Sequence, residues 1–117
     1  MPAQANTLGV LHGGHMMSWM DMAAWVVAAR AVAADQQVFF KAVDDCVWSG
    51  PVHAGEVCHV EARLAGVGRS SLRVELLARA EDPVRKAARD VCRATFTMVT
   101  ARDGAAEPVR LHEAGAL

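Results

Sequence analysis

From Gly14 to about Asp35 the chain has no proline and no internal glycine, and Met, Ala, Val and Trp dominate it. An uninterrupted run of such residues predicts one long helix. At about 100° per residue, His15, Ser18, Asp21 and Arg30 fall within roughly half of the helical wheel. Met16, Met20, Ala23, Ala24, Val27 and Ala31 fill the rest, which predicts a largely buried helix with one polar stripe. A helix of that kind needs a sheet around it.

The sequence after the helix supplies one. Val38–Val47, Val57–Val67, Ser71–Ala80 and Arg89–Ala101 are rich in β-branched residues or alternate apolar with polar positions. Turn signals at Ser49-Gly50-Pro51, His53-Ala54-Gly55, Gly66-Val67-Gly68 and Glu81-Asp82-Pro83, extending toward Lys86, separate them. These links are too short for parallel crossovers, so the expected architecture is α+β, an antiparallel sheet curled around one long central helix. The polar tail from Arg102 is expected to be loose. So few strands leave open edges, and pairing with a second copy is the economical way to cover one. The 117 residues fit a single domain, 1–117, at roughly 100–200 residues per domain.

Composition excludes several classes. Apolar residues at 53% and charged residues at 21% match an ordered globular chain. Twelve basic against thirteen acidic side chains give a net charge of −1, with no field to recruit nucleic acid or an anionic membrane. Asp21 and Arg30 interrupt the apolar stretch 16–34, which falls short of the ~20 apolar residues that span a bilayer, and no signal peptide is evident. Three scattered cysteines, Cys46, Cys58 and Cys92, give neither a disulfide framework nor a zinc cluster. All three are expected to be small buried hydrophobes, reduced in a cytoplasm. Asp44 and Asp45 lack a supporting His or Cys, so no metal site is expected.

Two constellations could carry chemistry. The stretch NTLGVLHGGHMMSWMD holds Asn6, Gly9, Gly13, Gly14 and Asp21. Adjacent glycines at a helix start admit a ligand close to the backbone, and the free first-turn N–H groups suit a developing oxyanion. The same glycines also make an ordinary tight turn. Asp21 stands in an apolar helix, where a buried carboxylate needs either a structural partner or a catalytic reason. Ser18, on its stripe, is placed to hold it by a hydrogen bond. The second constellation is Gly68-Arg69-Ser70-Ser71, whose guanidinium fork suits phosphate and whose hydroxyls suit an extended amide chain, or which is merely a polar hairpin turn. Met16, Trp19, Met20 and Trp25 read as core packing.

The order and spacing of Asn6, Gly9, Gly13-Gly14 and Asp21, then VDD at Val43–Asp45, PVHAGEV at Pro51–Val57 and VGRSSL at Val67–Leu72, closely resemble hotdog-fold acyl-CoA thioesterases, particularly the acyl-CoA hydrolase branch. The resemblance spans Asn6 to Val99. It implies a sheet wrapped around the central helix, dimers that often assemble into tetramers or hexamers, and an active site at the dimer interface. Asp21 would then be general base or nucleophile, Asn6 would orient water or the thioester carbonyl, and amides around Gly14 would stabilise the oxyanion. His12 and Gly13 would contact substrate, and Arg69, Ser70 and Ser71 would bind coenzyme A, which is part of the substrate, so no separate cofactor is implied. Only Met1–Ala5 precede Asn6, so the strand such enzymes carry before it is expected to be short or missing.

Other readings remain. His12 stands where the acyl-CoA hydrolase branch usually has an aromatic residue and is similar to the HGG of phenylacetyl-CoA thioesterases, which implies an aryl-CoA substrate. A non-catalytic acyl-CoA-binding module and a purely structural subunit are the rivals outside catalysis. The hotdog hydratases are disfavoured because their Asp-x4-His pattern would need a histidine where Val26 stands.

Overall fold

The computed structural model describes residues 13–112, with side chains from Met16 onward. Asn6, Gly9 and His12 lie outside the described residues, as does the expected short or missing first strand. The described chain runs α1 (Gly13–Ala31), β1 (Gln37–Trp48), β2 (Val57–Val67), β3 (Ser71–Asp82), β4 (Ala87–Arg102) and the two-residue β5 (Ala105–Ala106). All pairings are antiparallel, in the order β1-β4-β3-β2, with β5 on β4.

The helix meets the sheet through residues four or three apart: Met16, Met20, Ala24, Ala28 and Ala31 are all buried. Alternate residues of the central strands face them, Leu72, Val74, Leu76, Ala78 and Ala80 from β3 and Cys92, Ala94, Phe96 and Met98 from β4. Each fully buried Leu, Val or Met side chain contributes roughly 1.5–3 kcal/mol of transfer free energy. Ala24 and Ala28 keep the helix close to the strands.

The sheet covers one side of the helix, and the expectation of a largely buried helix is corrected accordingly. Met22, Trp25 and Val26 point away from the sheet, and Trp25 is 49% exposed rather than part of the core. Periodicity identifies the face that packs first but not how far a sheet of this width reaches around it. The edge strand β1 carries Phe39, Phe40, Val47 and Trp48, each about half exposed.

From Arg102 to His112 the tail is ordered, contrary to expectation. Asp103 and Gly104 both take positive φ, 52° and 82°, closing a two-residue hairpin turn from β4 into β5. Residues 107–112 then run back beneath the helix end as a strap: Ala33 N–H donates to Arg110 O at 2.7 Å, His112 N–H donates to Ala31 O at 2.9 Å, and Val32 bridges Leu111. This pairing ends α1 at Ala31 rather than near Asp35. Among the described residues no helix is long and apolar enough to cross a membrane.

Candidate active site

Asp21 lies one position past buried Met20, on the flank of α1 that faces β1. The structure leaves it exposed, where a buried carboxylate was expected, because none of the described elements closes over that flank. Beside it is a cavity of about 250 Å³ lined by Met17, Ser18, Asp21, Phe40 and Phe96. Phe96 is a core residue whose ring meets Phe40 edge to face, with centroids 5.2 Å apart and planes at 68°. A carboxylate with access to water therefore stands at the mouth of an apolar, aromatic-lined hollow, and Ser18 lines the same wall. Neither phenylalanine was foreseen as a site residue. Phe96 could have been found from the apolar–polar alternation of TFT in β4, whereas nothing local marks Phe40, which stands at a register shift of β1.

Gly13 and Gly14 open α1, so their N–H groups lie in the first turn, where helix geometry leaves them without intrahelical acceptors. Arg69 and Ser70, with Gly68 before them, form the turn that leads into Ser71 at the start of β3. Gly68 N–H donates to Ser71 O at 2.8 Å, and a Cβ at position 68 would come within 2.6 Å of Ser71 Oγ, so a larger residue there would turn the Ser71 hydroxyl aside. This turn sits by the C-terminal end of α1, since Val109, two residues before the strap's bridge to Val32, donates its N–H to Arg69 O. Ten residues of helix separate Asp21 from that end, about 15 Å at 1.5 Å per residue. Within one chain the two constellations are thus not brought together.

A larger hollow of about 600 Å³ lies on the opposite face of the sheet, among Asp45, Glu61, Arg63, Glu75, Leu77, Arg93 and Thr95. Its side chains pair with one another across strands, as Arg63 does with Glu75, and offer no nucleophile poised beside an apolar pocket. Asp44 receives a 3.5 Å contact from Thr97 Oγ1, and Asp45 adopts φ 51° where two residues of β1 oppose one of β4. That bulge also turns Cys46 outward, so the expectation that all three thiols are buried fails there. Cys58 is half-buried with Sγ 3.8 Å from Met16 Sδ, and burial raises its pKa. Cys92 is fully buried, and that burial, with neighbouring Cys46, pushes its thiol up to about 12. Cys58 and Cys92 are therefore poor nucleophiles at neutral pH.

One helix laid across an antiparallel sheet of this strand order is the hotdog fold. Residues 8–87 match the Thioesterase superfamily, and the chain belongs to it. It is 40% identical over 76 residues to an uncharacterized acyl-CoA thioester hydrolase of Zymomonas mobilis, a match covering 65% of this chain and 50% of that protein. The chain thus spans about half the length of that curated relative. Among solved structures it superposes on the hexameric thioesterase of Yersinia pestis with a TM-score of 0.82 and 28% identity, over 93% of this chain and 88% of that one. It also superposes on a hexameric hotdog-fold thioesterase of Campylobacter jejuni, with a TM-score of 0.80 and 27% identity over 93% and 84%.

Proposed function

We propose that this chain hydrolyses an acyl-coenzyme A thioester to the free acid and coenzyme A. The observation that carries the reading is Asp21, water-accessible at the mouth of the hollow lined by Phe40, Phe96 and Met17. Asp21 takes a proton from water as the water oxygen attacks the thioester carbonyl, or attacks that carbon itself to give a mixed anhydride that water then hydrolyses to the free acid and the Asp21 carboxylate. The oxyanion is stabilised by N–H groups of Gly13 and Gly14, and Asn6 of a second copy orients the water or the carbonyl. Collapse of the tetrahedral intermediate breaks the C–S bond. A thiolate leaves readily, so the reaction needs no strong general acid. His12 and Gly13 contact the substrate, and Arg69, Ser70 and Ser71 hold its coenzyme A portion.

The second copy pairs along β1, where Phe39, Phe40, Val47 and Trp48 are half exposed and no other described strand pairs with the outer backbone edge. The hexameric relatives support assembly beyond a monomer. In this reading residues 1–117 are one cytoplasmic domain, with neither nucleic acid nor membrane as partner. The edge-to-face phenylalanine pair beside Asp21 favours a second reading of the acyl group as aromatic.

The test is thiol release from short, medium, long and aromatic acyl-CoA esters by the wild type and Asp21→Asn. Loss of a general base costs about 10²- to 10⁴-fold in turnover, with coenzyme A binding and thermal stability kept because the carboxylate is exposed. Equal turnover in both proteins removes Asp21 from the chemistry. Absence of turnover with every ester leaves an acyl-CoA-binding module.

A further inference from the structure

The turn that carries Arg69 is held from outside its own hairpin. Val109 N–H donates to Arg69 O at 2.7 Å and Thr100 N–H to Ser70 O at 3.1 Å. Both donors belong to one unit, because the buried Thr100 hydroxyl donates to Glu107 O at 2.6 Å and Glu107 N–H donates to Thr100 O at 3.1 Å. The strap is pinned in turn by Gln36, just ahead of β1 and only 8% exposed. Its Nε2 donates to Glu107 Oε1 at 2.9 Å and Pro108 O at 2.7 Å, while its Oε1 accepts from Arg110 N–H at 2.8 Å. Arg110 bonds Asp35 and Glu107, and Arg102 bonds Glu107, closing the clasp.

The clasp occupies the carbonyls of Arg69 and Ser70 and leaves the exposed Arg69 side chain to solvent. A turn fixed before the ligand arrives spends none of the binding free energy on its own ordering. We propose that Gln36 is a positioning residue for coenzyme A: through residues 107–110, and the Val109 N–H in particular, it fixes the backbone of Arg69, so that the guanidinium meets the ligand's phosphates already in place. The proposal rests on the reading above that Arg69 contacts those phosphates.

Calorimetric titration of the intact protein with coenzyme A and with pantetheine, which lacks the phosphates, tests both. Gln36→Leu is expected to raise the Kd for coenzyme A about tenfold and that for pantetheine less than about twofold. Val109→Pro, which removes a single donor to Arg69 O, should show the same split and serves where Gln36→Leu is too unstable to titrate. If either folded variant loses thermal stability but binds both ligands as the wild type does, the strap is a staple of the fold and the proposal falls. An equal loss for both ligands also overturns it, since the site would then be distorted as a whole. Arg69→Ala separates the underlying reading: if that variant binds coenzyme A normally, Arg69 never met a phosphate, and the proposal goes with it.

Discussion

Among the described strands, β1 and β2 edge the sheet, and the two are built for different neighbours. The outward row of β2 places His59 against Glu81 and Arg63 against Glu75 across to β3, an arrangement content in water. Along β1 the corresponding positions hold Phe39 and Val47, with Phe40 and Trp48 on the other face and Trp25 exposed on the adjoining helix. Soluble surfaces seldom leave apolar groups so close together unless something covers them. The difference teaches that the site beside Asp21, which opens toward β1, is only half enclosed by the chain that carries its carboxylate.

The most severe way to break the contrast is to charge each edge in turn. Phe39→Lys combined with Val47→Lys should turn the assembly into monomers in sedimentation and abolish turnover, whereas Val57→Lys on β2 should leave sedimentation unchanged. Loss of assembly from the β2 change alone would reverse the assignment of the two edges.

A smaller effect is expected from pH, because the clasp joins the entry to β1 with the β2–β3 turn. The Arg110 guanidinium, bonding Asp35 and Glu107, holds both carboxyls below their ordinary range, and Gln36 assists at Glu107. A carboxylate whose pKa is lower folded than unfolded stabilises the fold above its unfolded value, about 3.9–4.3. That stabilisation fades as pH falls through the lower, folded value. The melting temperature should therefore drop on acidification below about pH 4, and drop less in Arg110→Ala. Parallel acid profiles for the two proteins would mean that the clasp contributes nothing to them. The least effect belongs to Arg63→Ala: its exposed ion pair should be worth less than about 1 kcal/mol in urea unfolding, and a larger loss would show that the outward face of β2 is more than a solvated surface.

Much of this was legible in the sequence. Val57–Val67 was read with its observed bounds, and the other three long strands to within two residues at each end, because alternation and glycine turns state them locally. The long helix was equally plain. The hidden parts depend on distant partners. The strap leans on Gln36 and Arg69, far away in the chain, although Asp103-Gly104 was an available hairpin signal. The exposure of Asp21 and Trp25 depends on how far the sheet reaches around the helix, which no local pattern records. Asn6, Gly9 and His12 lie outside the described residues.

The strand order also governs time. β1 follows the helix in sequence, yet its only neighbour among the described strands is β4, with Val38 opposite Thr100 and Trp48 opposite Cys92. During synthesis the helix and β1 leave the ribosome first and must wait, aromatic residues bare, until the β2-β3-β4 meander has emerged behind them. The strand that carries half-exposed Phe39, Phe40, Val47 and Trp48 is therefore the last long strand to find its place, and those side chains stay uncovered throughout that delay.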